Sequence, residues 1–188
     1  MKFQNKYCEH VFNLGPKDTS EHKIYHDTEY GYPIHSDDEL FGRLILEINQ
    51  AGLSWITILK KKDSFRKAYR NFSISKIAKF GKKDVDRLLQ DAGIIRNRLK
   101  IEAAIHNANI ILSLQKEYGS FGLWLDDNHP MTREEWTKLF KKTFRFTGGE
   151  IVNEFLMSTG YLEGAHDSNC PVWKKIQKTK PAWTRKKD

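Results

Sequence analysis

Cysteine is nearly absent from this sequence: Cys8 and Cys170 are the only two in 188 residues, close to opposite ends of the chain. Two thiols so far apart make no disulfide framework, and a chain of this length can bury a core without one. Long apolar runs are missing as well. None approaches the roughly 18 residues that a membrane-crossing helix requires. Met1 to Lys6 offers no apolar segment to serve as an export signal. A cytoplasmic protein with no membrane partner is therefore expected. Proline is scarce, at five residues, and the alternation of β-strands, internal repeats and low-complexity linkers are all missing. What these absences leave is an all-α chain.

Acidic groups are scarce in one place. Residues 60–100 hold 14 basic and 4 acidic side chains, whereas residues 1–59 and 101–173 each have an acidic excess. A concentrated positive segment on an otherwise acidic body points to a polyanion partner. Residues 174–188 are basic again, contain Pro181, and are expected to form a loose tail beyond a single domain over 1–173.

Residues 1–22 show no sustained period. A short helical turn is expected over 23–31, stopped by Gly31. Ser36 with Glu39 three residues on predicts a capping box opening a helix over about 37–50. Further helices are expected over 54–62, 63–69, 75–79, 84–90, 97–118, 120–125, 132–142 and 150–159, the last stopped by Gly160.

Three places carry chemistry. In the 37–50 helix, Leu40, Phe41, Leu44, Ile45 and Ile48 form one apolar stripe, and Glu47 falls at its edge. A carboxylate there is costly unless a cation or hydrogen-bond donor faces it. Gly52 breaks that helix and Ser54 starts another carrying Trp55; a solvated Glu47 and a core tryptophan would give the same pattern. Next, residues 84–90 and 97–118 flank a tight turn at Gly93, expected at positive φ, whose N–H groups at Gly93 and Ile94 can face a phosphate. Arg96, Arg98 and Lys100 follow at once. An ordinary helical hairpin is the alternative, and the basic surroundings favour DNA contact. Third, His166 and Cys170 stand four apart, equally compatible with a surface histidine near a buried cysteine. His10, His22, His35, His106 and His129 lack partner spacing and read as surface or helix histidines.

The words themselves are specific. Leu46-Glu47-x-x-Gln50-Ala51-Gly52-Leu53-Ser54-Trp55-x-Thr57, Tyr25-His26-Asp27-Thr28-Glu29-Tyr30-Gly31 and Gln90-Asp91-Ala92-Gly93-Ile94-Ile95-Arg96-Asn97 resemble, in order, the signatures of the constitutive 3-methyladenine DNA glycosylase family. The likeness runs from about Cys8 to Cys170.

The resemblance implies a helix–hairpin–helix glycosylase domain acting as a monomer on double-stranded DNA with alkylated bases. Its activity would be monofunctional hydrolysis releasing 3-methyladenine. It implies structural zinc held by Cys8, His26, His166 and Cys170, and a catalytic Glu47 that contacts the base. An enzyme of this kind extrudes its target. Leu53, presented by Gly52, is the candidate wedge filling the gap. Tyr25, Tyr30 and Trp55 are candidates to stack on the base, which is cationic when methylated at N3. Where the family pattern has Trp this chain has Tyr30, and where it has Thr-Thr and a later Tyr this chain has Gly149-Glu150 and Asn153. Glu150 is thus expected near the pocket. A non-catalytic module that grips damaged or bent DNA through the same hairpin is the second reading; a zinc hydrolase would need an open ligand position.

Overall fold

Local capping chemistry cuts the chain into helices. In the computed structural model, which describes residues 2–185, the Asn5 side chain accepts the Tyr7 and Cys8 N–H groups and opens α1 (Lys6–Leu14). Ser20 caps α2 (Glu21–Thr28) and Ser36 caps α3 (Asp37–Gln50). Four short helices follow: α4 (Trp55–Leu59), α5 (Lys62–Ala68), α6 (Ile74–Ile77) and α7 (Lys82–Gln90). Asn97, Ser120 and Thr132 cap α8 (Arg98–Tyr118), α9 (Phe121–Asn128) and α10 (Arg133–Thr143). The chain closes with α11 (Gly149–Ser158) and α12 (Trp173–Lys178). Among the described residues no strand occurs, and no helix is long and apolar enough to cross a membrane.

The architecture is all-α, with three departures from expectation. Residues 1–22 contain α1, whose burial rests on Cys8 and Val11 alone, too few positions to register as a period. At Ser36 only half of the expected capping box forms. The Ser36 hydroxyl accepts from the Glu39 N–H at 3.4 Å, but the Glu39 carboxylate turns away to both guanidinium nitrogens of Arg66, at 2.7 and 2.6 Å. The stretch expected to be a loose tail is folded through Arg185: Ile176 and Ala182 are buried, and the Trp183 N–H donates to the Gly160 carbonyl at 3.2 Å. Apolar side chains at Val172, Ile176 and Ala182, embedded in a basic run, drive that packing. Residues 186–188 of the expected tail lie outside the described residues.

Every residue of α3 from Leu40 to Asn49 is buried, the mark of a helix surrounded on all sides. It packs against α4, α5, α6, α8, α9 and α11. The main core gathers on it, including Phe41, Phe65, Phe72, Trp136, Phe140 and Phe155. Between this core and a small cluster of Cys8, Cys170, Val172 and Ile176 lies an aromatic seam containing Tyr25 and Tyr30.

Gly42 is where the core approaches α3 most closely. A Cβ there would stand 2.5 Å from a ring carbon of Phe72. Phe72 is itself buried in a run of left-handed residues, Arg70, Asn71 and Phe72 at φ 54°, 58° and 57°, and has no room to yield. Gly42→Ala is expected to destabilise the protein by about 1–3 kcal/mol through overpacking, read from urea melts.

Candidate functional site

The residues of Glu47's surroundings come from four helices, α11 supplying Glu154 and Ser158. The first turns of α4 bring Trp55, α2 and the turn after it bring Tyr25 and Tyr30, and α3 brings Glu47 itself. The Tyr25 ring centre lies 5.2 Å from that of Trp55 and 5.5 Å from that of Tyr30. Glu47 is only 4% exposed, deeper than the core edge where its helical position put it. Burial pushes its carboxyl up to about 8; nearby Arg43 opposes this, the charge of Glu154 adds to it, and a hydrogen bond with Ser158 opposes it. Arg43, also buried, donates to the Tyr25 hydroxyl at 2.6 Å and to Glu29 at 3.2 Å. The Tyr30 hydroxyl donates to Glu154 Oε2 at 3.0 Å. The Trp55 Nε1–H is buried without a hydrogen-bond acceptor among the described residues.

This arrangement suits a flat group that carries positive charge and offers a hydrogen-bond acceptor: rings for its faces, a carboxyl for its charge, an indole N–H for its edge. Arg43, Glu154 and Tyr7 escaped the sequence reading. Tyr7 packs edge-on against Tyr30 with centres 5.5 Å apart, and its hydroxyl meets His22 Nδ1 at 3.1 Å. Nothing marks Tyr7 in sequence, because α1 itself has almost no pattern. Arg43 and Glu154 had a detectable sign: each falls on a helix one turn from a singled-out acid, Glu47 or Glu150.

The four expected metal ligands come together and are buried, their donor atoms all within 4.8 Å of one another. His166 Nδ1 lies 3.6 Å from both Cys8 Sγ and Cys170 Sγ, and His26 Nε2 lies 3.8 Å from Cys170 Sγ. A tetrahedral ion bonded to sulfur and imidazole nitrogen at ordinary lengths would set such edges at about 3.6 Å. The donors therefore fit a closed four-coordinate metal. The outer ring nitrogens are also held, His26 Nδ1 by Asp27 Oδ1 at 2.7 Å and His166 Nε2 by the Tyr30 carbonyl at 2.8 Å. Such outer partners fix the rings for ligation.

At the corner after α3, Gly52 takes φ +84°. Leu53 is 39% exposed there, with its N–H on the Gln50 carbonyl at 2.7 Å. The hairpin differs from its expected form. Gly93 is not at positive φ; it is required by close approach, since a Cβ would stand 2.9 Å from Ser64 Cβ. The N–H groups expected to face a phosphate are used inside the turn, Gly93 on Asp91 Oδ1 at 2.8 Å and Ile94 on the Asp91 carbonyl at 3.3 Å. The Ile94 side chain is buried. Arg96 and Arg98 point outward, and Arg98 lies 3.9 Å from Asp86 and 3.8 Å from Glu102.

A family model described as methyladenine glycosylase matches residues 16–138. The chain belongs to the methyladenine glycosylase family. It is similar to the DNA-3-methyladenine glycosylase of Haemophilus influenzae, 37% identical over 166 residues covering 78% of this chain and 89% of that one. DNA-3-methyladenine glycosylase 1 of Escherichia coli is 37% identical over 157 residues, covering 73% and 84%. Among solved structures, a variant of 3-methyladenine DNA glycosylase I in complex with 3-methyladenine superposes with a TM-score of 0.75 at 33% identity, covering 85% of this chain and 95% of that one.

Against this family background two expected contacts are corrected. Lys100 is not on the DNA face: it is 6% exposed, and its ammonium donates to the Asn49 and Ala51 carbonyls at 3.1 and 2.9 Å. The end of α3 leaves carbonyls without partners, and a lysine one turn into α8 is placed to take them. Glu150 is not at the pocket either; it is exposed at the start of α11 and paired with Arg133 of α10. Lys100→Met is therefore expected to lower stability by about 1–3 kcal/mol, from loss of a charged hydrogen-bond donor. The slope of duplex affinity against salt should stay as in the wild type. Arg98→Ala should reduce that slope by about one. Fluorescence anisotropy over a salt series beside thermal melts separates the two roles.

Proposed function

We propose that this protein is a monofunctional DNA N-glycosylase of base-excision repair that hydrolyses the bond between 3-methyladenine and its sugar, releasing the free base and leaving an abasic site. One observation carries the reading: a deeply buried Glu47 beside Tyr25 and Tyr30, with Trp55 packed on Tyr25, in a chain whose relatives are named for this activity. A base methylated at N3 within DNA is cationic and already a good leaving group, so binding that favours departure of the base can suffice. Water adds at the sugar C1′ and gives up one proton to solvent, the C1′–N9 bond breaks, and the bonding pair leaves with the base and neutralises it. Glu47, held largely protonated in the empty pocket, loses its proton when a cation takes its place opposite. The aromatic cluster of Tyr25, Tyr30 and Trp55 offers ring faces on which the base can stack.

Leu53 at the Gly52 corner supports the role of a wedge that fills the stack behind an extruded base, and Arg96 and Arg98 support phosphate contacts that position the duplex. A single chain carries all of these groups, in keeping with action as a monomer. The Cys8, His26, His166 and Cys170 set suits zinc in a structural role, since four protein donors leave no position for reactive water. Zinc there would tie α1 and the segment before α12 to the pocket wall through the Tyr30 carbonyl.

Purified protein should hold about one zinc per chain by elemental analysis. Cys170→Ser should lower both metal content and melting temperature; a metal-free protein that melts as the wild type does would contradict the assignment.

Glu47→Gln tests the chemistry. It should cut release of 3-methyladenine from methylated duplex, resolved by chromatography, by on the order of tenfold or more. The same change should stabilise the empty protein in alkali. A carboxyl whose folded pKa is raised contributes stability below its unfolded value, and that contribution is lost as pH rises through about 8. Melting temperatures of variant and wild type should thus agree in acid and diverge, variant higher, by about pH 9. Release at the wild-type rate would instead make Glu47 a structural residue, whereas no release by the wild type would favour the non-catalytic DNA-binding module.

A further inference from the structure

Two carboxyls, not one, meet the aromatic rings. Glu154 stands one turn beyond Glu150 on α11, which packs against α3. Its Oε2 accepts the Tyr30 hydroxyl at 3.0 Å, and the charges of both Glu154 and Glu47 act on Tyr30. Burial raises the Glu154 carboxyl above its ordinary range; the Tyr30 hydroxyl and Arg133 oppose that rise, and Glu150 adds to it. The two cations that act on this pair are committed elsewhere. Arg43 is tied to Tyr25 and Glu29, and Arg133 to Glu150 at the exposed rim.

We propose that Glu154 is a specificity-determining residue of the base pocket: with Glu47 it forms a two-carboxyl wall, oriented by Tyr30, that selects positively charged bases over neutral ones. This rests on the glycosylase reading. Two neighbouring acids in a buried site cannot both ionise cheaply, so the empty pocket keeps a proton. A cationic base removes the reason to keep it, and both carboxylates then face the charge. A neutral base gains nothing from the second acid. Selectivity for charge is thereby coupled to release of a proton.

Glu154→Gln keeps an acceptor for Tyr30 and deletes the charge. The acid limb of kcat/KM on methylated duplex reports groups of the free enzyme. With one cause of the raised Glu47 pKa removed, that limb should move to lower pH by about half a unit or more. Above the limb the rate should fall on the order of tenfold, for want of the second anion. Affinity for free 3-methyladenine, neutral at the alkaline pH of the calorimetric titration, should change less than about twofold. A merely structural Glu154 would leave the limb where it is. Wild-type limb and rate in the variant overturn the proposal; absence of base release by the wild type itself overturns the glycosylase reading instead. Should Glu154→Gln melt early, Tyr30→Phe serves. It removes the donor that lowers the Glu154 pKa, lessens the charge that Glu154 sets beside Glu47, and should move the limb the same way; an unmoved limb again overturns the proposal.

Discussion

A helix leaves its last carbonyl oxygens without partners in its own ladder, and α3 ends at a corner where Gln50 and Ala51 are half-buried and Gly52 to Ser54 are exposed. The Leu53 N–H takes the Gln50 carbonyl, and a single ammonium takes two more. Lys100, reaching across from α8, binds the carbonyls of Asn49 and Ala51, and a cation at that end also complements the helix dipole. Desolvation lowers its pKa, which measures what the burial costs. Much is referred to this contact. It lies beside the corner where the chain turns at Gly52, closed by the Leu53 N–H on the Gln50 carbonyl, from which Leu53 projects and after which Trp55 begins α4. Because Asn97 caps α8 just before Lys100, the same ammonium ties the hairpin with Arg96 and Arg98 to the helix that carries Glu47.

Around Glu47 the order of costs reverses what stability alone would select. An acid at full burial beside a second acid is unfavourable, as is a buried indole N–H with no acceptor. On the proposed reading a bound base satisfies both, and stability is given up where binding is gained. The surrounding tyrosines are held firmly, Tyr25 by Arg43 and Tyr30 by Glu154, so the unsatisfied groups stay in place.

What could be read from the sequence was local. The cap at Ser36 acts over three residues, and the stops read at Gly31 and Gly160 likewise rest on single residues and their immediate neighbours. The convergence of Tyr25, Tyr30, Glu47 and Trp55, like that of Cys8 with Cys170, was legible only through motif words, since no spacing rule links positions so distant. Lys100 was misjudged because a lysine in a basic run looks like its neighbours; only the partnerless carbonyls at the end of α3 distinguish it. Gly93 was assigned the wrong reason for being glycine, as Ser64 crowds it from another helix. Glu154 passed unnoticed because an acid four residues after Glu150 looks like one more solvated charge until Tyr30 is seen opposite.

The two ends of the chain are stitched together. Asp167 accepts the N–H groups of Gln4 and Asn5, each at 2.9 Å, Asn5 reaches the carbonyls of Gly164 and Ala165, and Asn169 reaches that of Lys2. With the thiol–imidazole cluster beside these bonds, residues 2–8 and 164–170 form a clasp that closes the intervening residues 9–163 into a loop, so the helices from α3 to α11 are held by a fastening that none of them supplies.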